Sequence, residues 1–111
     1  MDNQKLEQIA VGLALQALGK AEELNCIASV LVCDIVEKTD YVYYHEDALE
    51  LVSAVACYHP KVYADSIFKL ESRSYVPTCF TIASKYVARY ALIQLVENKI
   101  FELKATLWGG N

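Results

Sequence analysis

Glycine and proline are scarce in this chain: Gly12, Gly19, Gly109, Gly110, Pro60 and Pro77 are all that punctuate 111 residues. An antiparallel sheet needs a turn signal about every 8–12 residues. Neither residue occurs between Lys20 and His59, so helix is the default. No stretch approaches the ~18 uncharged residues of a membrane span, and the N-terminus lacks the basic, apolar and small-residue pattern of a signal peptide. These absences predict a soluble, cytoplasmic protein with no membrane association.

Catalytic vocabulary is equally thin. There are two histidines, His45 and His59, and no G-x-S-x-G, P-loop, G-x-G-x-x-G or H-E-x-x-H sequence. Cys57 and His59 stand at i, i+2, where helical side chains diverge too far to pass a proton. His45, Glu46, Asp47 and Glu50 form the densest group of metal-ligand types, but they read as an acidic first turn favouring a helix N-terminus. A carboxylate-bridged metal bundle needs Glu-x-x-His elements on two helices, and none is present. The four cysteines, Cys26, Cys33, Cys57 and Cys79, lack C-x-x-C pairing. Cys26 and Cys33 on one helix would lie about 10 Å apart, beyond disulfide reach. All four are expected as reduced thiols in the core. No enzyme activity, cofactor or metal is expected.

What the chain does have is apolar mass and tyrosine. Hydrophobic types make up 55% of it, above the usual range of about 45–50%, and 22% is charged. That is ample to offset chain ordering, and the length suits a single helical domain spanning 1–111. The net charge of −4 divides unevenly: residues 1–60 sum to −7 and residues 61–111 to +3. A strongly basic nucleic-acid binder is excluded on totals, while a local basic face is not. Such an asymmetry suits head-to-tail stacking or an acidic partner on the basic half.

Helical spacing organises most of the chain. Leu6, Ile9, Leu13 and Ala17 predict a first helix over 2–18, capped by Asp2 or Asn3 and ended or kinked at Gly19. Gly12 beside Ala10 and Ala14 offers a smooth patch for a close helix approach. A second helix is predicted over 21–38, its polar positions Glu22, Asn25, Ser29, Cys33 and Glu37 advancing by three and four. The β-branched run Val30–Val36 with Tyr41–Tyr44 offers an alternative, a hairpin over 30–45. Helices over 46–58 and 60–72 follow, Pro60 suiting a first turn and Lys61, Asp65 and Lys69 forming an i, i+4 lacing. Residues 72–77 read as a loop. The segment 78–107 is apolar almost all round (Phe80, Ile82, Val87, Leu92, Leu95, Ile100, Phe101), the mark of a central helix, stopped by Trp108-Gly109-Gly110. The expected fold is all-α: a compact bundle of four to five helices around a long apolar C-terminal helix.

Eight tyrosines stand against three phenylalanines. Tyrosine suits surfaces that are dry on one side and wet on the other. Tyr41, Tyr43, Tyr44 and Tyr75 fall in or beside expected loops, where one small domain buries rings least easily, so a partner surface is placed there. The favoured reading is a non-catalytic, regulatory protein-binding or self-assembly module, a homo-oligomer included. The second reading is nucleic-acid binding through Arg73, Lys85 and Arg89. It draws on residues 81–103, where Val87, Arg89, Leu92 and Leu95, followed by Ile100 and Phe101, resemble the recognition helix and first wing strand of winged-helix proteins. By that likeness Ser84, Lys85 and Arg89 would face phosphates or base edges. The chain departs from the family in a long turn ahead of this helix and in the lack of a wing glycine.

Overall fold

The first helix begins where Asp2, in extended backbone, turns its Oδ1 to accept the Lys5 N–H at 2.8 Å. In the computed structural model, which describes residues 1–106, this helix (α1, Asn3–Leu24) runs through both Gly12 and Gly19 without a break. Its buried face is an alanine stripe, Ala10, Ala14, Ala17 and Ala21, with Leu6 at one end. Gly12 lies on the opposite, exposed side, where an added Cβ would meet nothing within 4 Å. The smooth contact patch is therefore the alanine stripe and excludes Gly12.

The helix expected over 21–38 is interrupted. Asn25 adopts the left-handed conformation, with φ 53° and ψ 51°, and ends α1. The Cys26 N–H bonds to the Ala21 carbonyl at 3.0 Å and the Asn25 N–H reaches the Glu22 carbonyl at 3.4 Å, the paired bonds of a Schellman motif. A 3₁₀ turn (Ala28–Leu31) then leads into a short helix α2 (Val32–Glu37). The hairpin alternative over 30–45 is likewise overturned: Val32, Ile35 and Val36 are buried while Val30 and Cys33 are exposed, a helical rather than an alternating pattern. A one-turn helix α3 (Asp40–Tyr43) completes what would have been the second strand.

From there the expected and observed elements coincide closely: α4 (His45–Tyr58), α5 (Pro60–Glu71) and α6 (Phe80–Lys104). Pro60 occupies the first turn of α5. The lacing expected on α5 gives way to a tertiary bond, Gln94 Nε2 of α6 donating to Asp65 Oδ2 at 3.3 Å. The chain is all-α with no strand among the described residues, and α6 contacts each of the other five α-helices and the 3₁₀ turn. It buries Val87, Ala88, Ala91, Leu92, Leu95, Val96 and Ile100, whereas Phe80, Ile82 and Phe101 project into solvent. Ile100 and Phe101 lie inside α6, so the wing strand implied by the winged-helix resemblance is absent. The stop expected at Trp108-Gly109-Gly110 lies outside the described residues.

A polar clasp ties α1 to the last turns of α6. Lys99 Nζ pairs with Glu7 of α1 and, at 2.9 Å, with Glu102, while His59 Nε2 lies 3.3 Å from the second Glu7 oxygen. All four cysteines are free and exposed, against the expectation of core thiols. Cys26 follows the end of α1, Cys33 is on the outer side of α2, Cys57 is in the last turn of α4 and Cys79 precedes α6. Their apolar sequence neighbours mark buried faces, and the cysteines occupy the faces opposite or the junctions between. No described helix is long and apolar enough to cross a membrane.

Candidate interaction surface

Val42 is the buried residue of the one-turn helix α3, and its burial decides where the neighbouring rings go. Thr39 secures the turn, its hydroxyl donating to the Val36 carbonyl at 2.8 Å. Tyr41 packs, half-buried, against the core; Tyr43 and Tyr44 are turned outward, 67% and 54% exposed. Their rings meet edge to face at 5.0 Å and 79°. Extended backbone at Tyr44 carries the chain straight into α4 at His45.

Across from these rings lies the first half of α6. Lys85 and Arg89 stand one turn apart, as do Tyr86 and Tyr90, whose ring centroids are 6.3 Å apart. Val87, Ala88 and Ala91 face the core, which turns the cationic and aromatic positions out. Glu37, at the end of α2, brings Oε1 to 3.5 Å from Arg89 Nε, an ionic contact. Together Glu37, Val42, Tyr43, Tyr44, His45, Lys85 and Arg89 line a cleft of about 530 Å³. His45 presents its ring edge-on to Phe80 at 6.5 Å, and its Nδ1 is buried without a hydrogen-bond partner.

The loop before α6 extends this surface. Arg73 Nη1 donates to the Tyr90 hydroxyl at 3.0 Å and its Nε donates to the Tyr75 carbonyl at 3.4 Å. Its guanidinium carbon lies 4.1 Å from the centre of the Tyr86 ring, and that of Arg89 lies 5.2 Å from the same centre. Two guanidiniums thus share one tyrosine ring, each drawn to the negative face of its π-system. The Tyr90 hydroxyl, and secondarily the Tyr86 phenol oxygen, hold the Arg73 guanidinium even more firmly protonated than usual. The ion pairs among the described residues engage Met1, His59, Arg89 and Lys99, leaving Arg73 and Lys85 without an acidic partner there.

The two sets of candidate residues read from the sequence therefore share one side of the molecule. Tyr43 and Tyr44 of the partner-binding set line the same cleft as Lys85 and Arg89 of the basic set, and Arg73 joins Tyr75, 70% exposed, to Arg89 by way of Tyr86. Tyr41 departs from its set, because its ring packs on the core. Tyr86, Tyr90, His45, Phe80 and Glu37 were missed. A signal for the first two was present, since Lys85-Tyr86 and Arg89-Tyr90 repeat a cation–tyrosine pair one helical turn apart. Among the described residues no three His, Cys, Asp or Glu side chains are grouped to hold a metal ion. Comparison with protein-family models, with curated proteins and with solved structures finds no match to this chain.

Proposed function

We propose that this protein is a non-catalytic, regulatory interaction module that binds another protein, copies of itself included, through the tyrosine–arginine surface around the α3–α6 cleft. The supporting observation is the joint exposure of Tyr43, Tyr44 and Tyr75 beside Arg73 and Arg89, the residue types that dominate binding energy at protein interfaces. These side chains contribute little to the core, so their retention on one side is more economically explained by a partner than by folding. A cytoplasmic setting, in which four exposed thiols stay reduced, belongs to the same proposal.

Nucleic-acid binding is the second reading, now detached from any winged-helix fold. It is favoured by the placing of Lys85 and Arg89 in one cleft with two exposed tyrosine rings, since stacking platforms beside cations suit single strands.

The test is a double variant, Tyr43→Ala with Tyr44→Ala. Both rings are exposed, so circular dichroism and melting should match wild type. Quantitative affinity capture and light scattering at low and high salt should show a partner, or a self-associated mass, lost in the variant by about tenfold in affinity. Identical capture profiles and masses for the two proteins would refute the proposal, and unfolding of the variant would make the rings structural.

A further inference from the structure

We infer that the partner element taken by this surface is an acidic protein segment carrying an apolar anchor side chain, an inference that rests on the interaction reading above. Two adjoining features require the two halves of that description. The first is the charge of the face. Glu37 is the one acidic residue lining the cleft beside Lys85 and Arg89, and Arg73 joins them through Tyr86, so cations outnumber acids there on a chain whose net charge is −4. Arg73 and Lys85 lack acidic partners among the described residues, and the guanidiniums of Arg73 and Arg89 both lie against Tyr86, so a carboxylate meets donors already in position.

The second feature is a neighbouring groove of about 260 Å³ between α4, α5 and α6, walled mainly by Leu49, Val52, Ile67, Phe80, Ala83 and Val87. It adjoins the cleft at one point, near the start of α6. Phe80 of the groove stands edge-on to His45 of the cleft at 6.5 Å, whereas along α6 the groove residues Ala83 and Val87 and the cleft residues Lys85 and Arg89 flank opposite sides of the buried face. A segment whose apolar side chain enters the groove therefore reaches Lys85 and Arg89 by passing over the Phe80–His45 contact, with Tyr43 and Tyr44 on the far side.

Charge decides against a nucleic-acid strand, and symmetry against a second copy. A nucleic-acid strand carries a dense uniform charge, which the acidic remainder of the chain repels and Glu37 opposes within the cleft itself. A second copy offering its acidic half would make a heterologous contact that repeats without closing, which predicts open polymers.

The probe is a fluorescein-labelled synthetic peptide of about a dozen residues, Glu and Asp around one Phe, titrated by anisotropy against the full chain. Oligothymidylate serves as the nucleic-acid probe. The peptide should bind, and should weaken by about tenfold or more with Lys85→Glu plus Arg89→Glu, with rising salt, and with Ala83→Trp, which fills the groove. Replacing the peptide's Phe by Ala should have the same effect, and that measurement carries the groove test if Ala83→Trp disturbs the fold. Peptide binding indifferent to the charge reversal overturns the inference. So does tighter binding of oligothymidylate, lost on the same reversal, which would assign the face to single-stranded nucleic acid. Absence of peptide binding, with capture still lost in the Tyr43→Ala/Tyr44→Ala variant, refutes the acidic-segment chemistry and leaves the interaction reading standing.

Discussion

Asn25 offers a substitution whose sign separates two local structures. Were residues 21–38 one continuous helix, Asn25→Ala would stabilise the chain, because alanine exceeds asparagine in a helix interior by up to about 0.7 kcal/mol. In the structure Asn25 is left-handed, at φ 53°, a conformation that costs an ordinary L-residue about 1–2 kcal/mol and that asparagine tolerates best after glycine. The expected outcome of Asn25→Ala is thus a loss of about 1 kcal/mol. At this chain length that lowers the melting temperature by about 4–6 °C. Urea unfolding followed by circular dichroism should show the midpoint falling by about 0.5 M, for a slope near 2 kcal/mol/M. Asn25→Gly is the companion. It should leave stability unchanged or raise it by up to about 0.5 kcal/mol, since glycine enters the left-handed region freely, whereas mid-helix it would cost about 0.3 kcal/mol relative to asparagine. A rise in stability for alanine together with a fall for glycine would refute the Schellman ending of α1.

Cys79 should be the most reactive of the four exposed thiols. The backbone N–H groups of Ile82 and Thr81, at the start of α6, hold it below its ordinary value of 9.0. Limiting iodoacetamide near neutral pH, followed by peptide mass spectrometry, should find Cys79 alkylated ahead of Cys26, Cys33 and Cys57, and equal labelling would count against that environment. Lys99 supplies a pH dependence. Its hydrogen bonds to Glu7, then to Glu102, raise it above its ordinary 10.5, so its stabilising contribution is full below that value and is lost as pH rises through the raised folded value. Lys99→Met should therefore be less stable than wild type at neutral pH, with the gap narrowing above about pH 10.5 in paired urea titrations. A gap that stays constant across that range would show that packing of the lysine stem, rather than its charge, makes the difference.

How much of this was legible beforehand depended on the range of the interaction concerned. Helices α4, α5 and α6 were readable because local signals agree there: the acidic turn at Glu46 and Asp47, Pro60 in a first turn, and unbroken helical spacing after the 72–77 loop. The segment 25–44 was not, because its β-branched run satisfies helix and strand patterns alike. Burial of Val32, Ile35, Val36 and Val42 against the rest of the core settled it as short helical pieces. Cysteine misled for a related reason. Apolar neighbours in sequence do not fix the side of a helix on which a given residue lies, and a small thiol at a helix end loses little by facing water.

The sequence by itself determined the all-α class, the central C-terminal helix and the two residue sets worth watching, since these follow from composition, periodicity and punctuation carried within a few turns of chain. Tertiary structure alone decided that the two sets form one surface. Tyr43 and Tyr44 are some 40 residues from Lys85 and Arg89 in the chain, and only the packing of α3 and α2 against α6 makes them walls of the same cleft. The same packing sent Tyr41 inward and its neighbours outward, because one turn of helix anchored by Val42 cannot bury all of its faces at once.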